Sequence, residues 1–321
     1  MAQNAFTQPW SEAVVSVRDL DKSARLFTQV GGWRSVAAGR MSPAEARYWG
    51  LAPSVSATFR KICPPDTATT GCIRFVRFIG VKQRPIRLAS RPWDTGGIFS
   101  LMARSTDVRQ VFDRAIALGW WAETEPYAFR FGGSELVNVV LTGPDGINLA
   151  LYQRNSPAFT DYPLGLIGRA FNSMRMVRDQ RASVAWYKNT LGFGQAFDAD
   201  YRDPAPGPTN FSIPWNLAPT IVRRASAMHP LPLGWGRVEL MQFVGFTGKD
   251  VSAHADAPNL GILSLRYPVG DLAAVRGRIA GAGVALARES KAVSIIGLGK
   301  VDLLAVRDPD GNLTEVYAPA R

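Results

Sequence analysis

The chain predicts an α+β fold of four tandem units, each a strand, a helix and about three further strands. Two observations predict it. A turn that launches an alternating strand occurs twice, as Asp308-Pro309-Asp310-Gly311-Asn312 before Leu313 to Tyr317 and as Gly143-Pro144-Asp145-Gly146 before Ile147 to Tyr152. A longer repeat superposes without a gap: Val17-Arg18-Asp19 on Val177-Arg178-Asp179, Ser23 on Ser183, Phe27 on Tyr187, Gly32 on Gly192 and Trp33 on Phe193. Its period is about half the chain, the mark of an internal duplication.

In chain order, Glu12 to Val17 alternates as a strand, and Asp19 can cap a helix from Leu20 to Gln29 that stops at Gly31-Gly32. A second unit opens at Gly97-Ile98-Phe99-Ser100-Leu101, with Asp107 before a helix from Val108 to Leu118 and Gly119 after it. The third unit begins near Phe171 and carries a helix from Ala182 to Thr190. The fourth begins at Gly261-Ile262-Leu263-Ser264-Leu265, with Asp271 before a helix from Leu272 to Ala280 that ends at Gly281. The stretch Arg154 to Gly168, with Pro157 and Pro163, reads as a linker. The expected division is therefore an N-terminal domain over 1–156, with modules near 10–90 and 96–155, and a C-terminal domain over 165–321, with modules near 168–247 and 259–321. Arg40 to Pro65 and Asp200 to Gly236 exceed a short connection and are rich in Pro and aromatic residues. Such loops are expected to wall a pocket.

Composition narrows the function. At 321 residues and 46% hydrophobic the chain can bury substantial cores. No apolar run reaches membrane-spanning length, and the N-terminus lacks the basic-then-apolar order of a secretory signal, so a soluble, cytoplasmic protein is expected. Two cysteines, Cys63 and Cys72, are too few for a disulfide framework and are expected to be reduced thiols. The net charge of +11 comes from scattered Arg rather than a basic stripe or a recognisable module, which argues against nucleic-acid binding and for attraction of small anions. The expected partner is a small-molecule substrate, with the chain a monomer or homodimer and no membrane association.

The four units, Val-Arg-Asp before a helix and the closing Asp-Pro-Asp-Gly-Asn-Leu-Thr-Glu (308–315) resemble the vicinal oxygen chelate superfamily, which includes glyoxalase I, bleomycin-resistance proteins and extradiol dioxygenases. The resemblance covers nearly the whole chain. It implies βαβββ modules paired into two cupped, barrel-like mixed sheets around small-molecule cavities, with helices outside. In that family a divalent metal sits in the cup, held by His or Gln on a module's first strand and Glu on its last. The matching positions here are Asn172, Glu239, Ser264 and Glu315 in the C-terminal half, and Glu12, Arg74, Ser100 and Ala150 in the N-terminal half. Iron of the ring-cleaving type needs two His and a carboxylate, whereas the chain has only His229 and His254, neither at a first-strand position.

No cofactor is therefore expected. Should Mn, Mg or Fe bind, Glu239, Glu315 and Asn172 are its expected ligands. Without metal, Glu239 and Glu315 facing each other would form an acid–base pair, since two carboxyls in a low-dielectric cup cannot both ionise cheaply. The leading expectation is a metal-independent lyase or isomerase acting on a bulky, oxygenated aromatic substrate. The alternatives are a divalent-metal enzyme of glyoxalase or dioxygenase type and a non-catalytic binding or resistance protein.

Period 2 places Arg237 beside Glu239 and Arg266 beside Ser264, where they either bind a substrate anion or form a buried ionic network with the glutamates. Met174, Met241 and Phe243 share these faces as pocket or core residues, and Tyr317, like its repeat partner Tyr152, ends a last strand inside a cup. Trp215 is expected in the pocket wall. His229, in a loop over the C-terminal cup, is a candidate base or a surface residue. Glu12 is expected to pair with Arg74, leaving the first half structural.

Overall fold

The computed structural model describes residues 5–67, 69–159 and 165–320. Pro163 of the expected linker lies outside the described residues. The first unit comprises β1 (Glu12–Ser16), α1 (Leu20–Gln29), β2 (Arg34–Arg40), α2 (Pro43–Tyr48), β3 (Ser56–Cys63) and β4 (Cys72–Ile79). The second comprises β5 (Ser100–Arg104), α3 (Val108–Ala117), β6 (Tyr127–Phe131), β7 (Ser134–Thr142) and β8 (Asn148–Ser156). The third comprises β9 (Ala170–Met176), α4 (Gln180–Trp186), β10 (Gly194–Tyr201), β11 (Arg223–His229) and β12 (Arg237–Phe243). The fourth comprises β13 (Gly261–Pro268), α5 (Leu272–Gly281), β14 (Arg288–Ile295), β15 (Gly299–Arg307) and β16 (Leu313–Pro319). Four βαβββ modules are thus present, with α2 an addition inside the Arg40 to Pro65 insertion. Among the described residues no helix is long and apolar enough to cross a membrane.

Each module's helix starts where its aspartate can satisfy free backbone N–H groups. Asp19 accepts from the amides of Asp21 and Lys22, Asp107 from Gln110, Asp179 from Ala182 and Asp271 from Ala274. Gly192, at φ +72°, ends the wide turn Tyr187–Leu191 that follows α4.

The strands form two eight-stranded sheets, ordered β14-β15-β16-β13-β1-β4-β3-β2 and β10-β11-β12-β9-β5-β8-β7-β6. The first sheet joins unit one to unit four through the antiparallel pair β1–β13, and the second joins units two and three through β5–β9. This corrects the expected grouping of consecutive modules into cups. Both groupings use the same antiparallel contact between first strands, and the alternation of a strand does not identify its partner.

Consecutive modules do meet, but back to back. The Arg18 amide and guanidinium donate to Asp145 at 2.8 and 2.7 Å, and the equivalent Arg178 groups donate to Asp310 at 3.2 and 3.0 Å. Beneath the second junction, buried Arg175 donates to Asp308 at 3.0 Å and to Thr314 Oγ1 at 3.2 Å, and also bonds the Tyr187 hydroxyl. Asp308 also accepts from the Asp310 and Asn312 amides, which shapes the turn around Gly311 at φ +79°. The main apolar core, including Phe27, Phe75, Trp120, Tyr187 and Tyr267, lies among these backs, while smaller clusters fill each cup.

Cys63 and Cys72 form a disulfide across β3 and β4, which corrects the expectation of reduced thiols. The cause is register: Ile62 pairs with Ile73, which sets the cysteines opposite each other with Cα atoms 4.4 Å apart.

Candidate functional site

The two cups differ in content. In the cup of units one and four, Glu12, Arg74, Ser264, Arg266 and Glu315 all have 0% exposure. Arg266 donates to Glu315 and Glu12 at 3.0 Å each and to Glu45 at 3.3 Å. Arg74 Nε donates to Glu12 at 2.7 Å, as expected, Lys61 lies 3.2 Å from the other Glu12 oxygen, and Ser264 donates to Glu315. Burial alone would raise the Glu12 carboxyl, but Arg74, Lys61 and Arg266 hold it well below the usual carboxylate range. The plug is α2. Capped by Ser42 and started by Pro43, it carries Glu45 and Tyr48 inward and is followed by buried Trp49, whose ring lies 5.7 Å from the Arg266 guanidinium. Burial raises the Glu45 carboxyl against the pull of Arg266. This interior is an ionic network closed by its own insertion.

The cup of units two and three holds a cavity of about 230 Å³. Its floor is Asn172, Met174, Glu239, Met241, Met102 and Tyr152. Three aromatic rings at period 2 on β6 (Tyr127, Phe129 and Phe131) form one wall, and Phe197 and Tyr201 on β10 oppose them. Arg104, Arg154, Arg223 and Arg237 also face the space, with Arg223 paired to Asp203 at 2.6 Å. The second insertion contributes Asn210 and Phe211, as a pocket wall should.

Among the described residues Glu239 is the one carboxyl that lines this wall, and it is 9% exposed. Burial pushes its pKa up to about 7 against the opposing pull of a hydrogen bond from Asn172 and of the Arg237 charge. Nearby, burial raises the Tyr152 phenol well above its ordinary value, and the Glu239 charge raises it further, while the Asn210 side chain opposes both. Burial lowers Arg237, with Glu239 acting the other way. The arrangement is a carboxyl poised near neutrality among aromatic rings, a phenol and guanidinium groups.

Of the residues singled out in the sequence, Asn172, Glu239, Arg237, Met174 and Met241 meet in this wall. Glu315, Ser264, Arg266 and Tyr317 belong to the closed cup, where the Tyr317 hydroxyl donates to Ser11 Oγ at 3.1 Å. The paired-carboxylate expectation is therefore corrected: Glu239 and Glu315 stand in different sheets. So is the ligand set of Glu239, Glu315 and Asn172, because two of the three share a cup and the third does not. Phe243 packs behind the wall, its ring 5.5 Å from that of Phe211. Trp215 is 63% exposed and outside the wall. His229 is the last residue of β11 rather than a loop residue and also lies outside the wall, its imidazole lowered by burial and by Arg237. Arg104, Arg154, Arg223 and the β6 rings escaped the sequence reading, although the alternation Tyr127-Ala128-Phe129-Arg130-Phe131 was the available signal.

The chain matches no protein-family model and no curated protein. Among solved structures, glyoxalase I from Zea mays superposes with a TM-score of 0.65 at 17% identity, over 97% of this chain and 92% of that one. A protein proposed to be a dioxygenase from Bacillus subtilis superposes with a TM-score of 0.58 at 12% identity, over 98% and 86%. The fold is that of the vicinal oxygen chelate superfamily. At these identities the likeness shows the fold, and the site must speak for the chemistry.

In the open cup, the strand positions at which this fold family holds a metal carry Asn172 and Ser100 on the first strands and Glu239 and Ala150 on the last. One carboxylate, one amide, one hydroxyl and one methyl do not supply the two imidazoles and carboxylate of a non-haem iron site, nor the oxygen-rich shell of Mg²⁺ or Mn²⁺. Among the described residues no group of three or more His, Cys, Asp or Glu could hold a metal ion. The donor set does not fit a resident divalent ion of the family type.

Proposed function

We propose that the protein is a small-molecule enzyme of acid–base type, a lyase or isomerase, in which Glu239 moves a proton next to a carbonyl of an oxygenated aromatic substrate. One observation carries this reading: an aromatic-walled cavity has, among the described residues that line it, one carboxyl, Glu239, which burial pushes up to about 7. A group so placed is about half ionised at neutral pH, where a general base is most effective.

Glu239 takes the proton from the carbon beside the carbonyl, and that carbon–hydrogen electron pair becomes the enolate. Arg237 on the same strand, two residues away, is the cation placed to stabilise the enolate oxygen. Asn172 holds the carboxyl, and its own Oδ1 is buried without a hydrogen-bond partner, free to accept from a substrate hydroxyl. Return of the proton to a different carbon completes an isomerisation, and departure of a β-substituent completes an elimination.

The test is proton exchange. Phenylpyruvate and benzoylacetate are incubated with the protein in D2O, and loss of the proton beside the carbonyl is followed by NMR. Exchange above the buffer rate that Glu239→Gln abolishes, with binding retained, is the expected outcome. Binding with no enzyme-dependent exchange would overturn it in favour of a sequestering protein, a reading favoured by a wall that is rich in aromatic rings and, among the described residues, holds one acid.

A further inference from the structure

A second chamber, of about 540 Å³, abuts the first, and Asn210 and Phe211 line both spaces. Four features mark it as built. The shared edge is tied down: Thr209 Oγ1 accepts from the Ile213 amide at 3.0 Å, and the Asn210 amide donates to the Tyr127 hydroxyl at 3.0 Å. The opposite lip is braced by half-buried Arg87, whose guanidinium donates to the carbonyls of Gly96, Asp94 and Arg91 at 2.7, 3.0 and 3.1 Å. Ala89 on one lip and Ser212 on the other hold φ of +51° and +53°, left-handed conformations that cost non-glycine residues energy and gather at functional clefts. Finally, Trp121 lies in the wall at 50% exposure, with no aromatic neighbour among the described residues.

The lining sets the occupant. Ser90, Thr124, Thr142, Asn148 and Ser212 line the chamber together with Trp121, with the Thr142 hydroxyl donating to Asn148 Oδ1 at 2.8 Å. Arg87, Arg91, Glu123 and Asp145 line it as well. A flat apolar platform beside hydroxyl, amide and charged hydrogen-bonding groups suits a hydroxylated six-membered ring, whose faces stack and whose edge hydrogen-bonds. We propose that this chamber is a subsite for the second, hydroxyl-bearing ring of an elongated substrate whose first ring occupies the Glu239 cavity, with Trp121 as its stacking residue. The assignment rests on the reading of that cavity as the substrate site, but not on Glu239 acting as a base.

The ring could be a sugar or a phenol, and the probes separate the two. Binding of 4-nitrophenol, 4-nitrophenyl β-D-glucopyranoside and 4,4′-dihydroxybiphenyl is measured by calorimetry on the wild type and on Trp121→Ala, an exposed position that the fold tolerates. At least one two-ring probe should bind about tenfold or more tightly than 4-nitrophenol. Trp121→Ala should weaken that probe about three- to tenfold, the size of an aromatic stacking contribution, and leave 4-nitrophenol unchanged. Preference for the glucoside identifies a sugar ring, and preference for the biphenyl a phenolic one. The inference is overturned if neither two-ring probe binds more tightly than 4-nitrophenol, or if Trp121→Ala affects all three alike. Because the readout is binding, Glu239→Gln retains the two-ring preference even where it abolishes, or never affects, proton exchange.

Discussion

Replacing Glu239 with Gln should change how stability depends on pH, and the size of the change follows from the burial of this one carboxyl. Its pKa moves from 4.5 for the ordinary group to about 7 in the folded chain. The folded state therefore binds a proton more tightly than the unfolded state, and the associated stability is fully present below the unfolded value. It is lost as pH rises through about 7. Each pH unit is worth 1.36 kcal/mol, so the whole difference is about 3 kcal/mol. The Gln side chain cannot ionise and lacks this dependence. Guanidinium unfolding at intervals from pH 5 to pH 8 should show the wild type losing about 2.5 kcal/mol relative to Glu239→Gln, the remainder of the difference lying below pH 5. Asp310, raised to about 6 mainly by burial, titrates in both proteins and cancels in the comparison. A difference that stays flat across this range would mean that Glu239 is not poised near neutrality, and the base assignment would fall with it. If the poise is real, kcat/KM for proton exchange rises with pH through about 7.

Glu315→Ala removes one of the three carboxylates that engage buried Arg266, leaving Glu12 and Glu45, and should cost about 2–3 kcal/mol in denaturant unfolding; affinity for cavity ligands, measured where the variant is folded, should stay within about twofold because Glu315 lies in the other cup. Asp308→Ala should cost ~3–5 kcal/mol by leaving Arg175 unpaired, whereas Asp145→Ala at the half-exposed first junction should cost about 1 kcal/mol or less. Intact protein should resist iodoacetamide at Cys63 and Cys72 until reduced, and Cys63→Ser with Cys72→Ser should lose about 2–3 kcal/mol, as expected for a closed loop of roughly ten residues.

The legible parts of this fold are those set by local rules. The four helices that begin at an aspartate, the alternation within each strand and the half-chain repeat all act over a few residues, and each took its expected form. The pairing of modules is not local. A first strand such as β1 offers the same edge to β5 or to β13, and long-range packing of backs and cups decides between them. The filling of one cup depends on a six-residue helix in an insertion, where Glu45 and Tyr48 turn inward only because Ser42 and Pro43 start the helix at that point.

The repeat itself drew attention to the wrong residues for chemistry. Its strongest echoes, Val-Arg-Asp and Pro-Asp-Gly, meet each other as Arg18 with Asp145 and Arg178 with Asp310, and they bind consecutive modules at their backs. A contact needed twice is kept in both copies, so duplication makes structural junctions conspicuous. The cups carry no such symmetry. One concentrates Glu12, Glu45 and Glu315 against Lys61, Arg74 and Arg266 until the charges satisfy each other, and the other has Glu239, alone among the described residues that line its open space, as an acid. A buried acid with several cationic partners is held ionised and inert, while one with a single amide and a neighbouring arginine stays near neutrality. The position where the copies differ, Glu239 against Arg74, is accordingly where reactivity is to be sought.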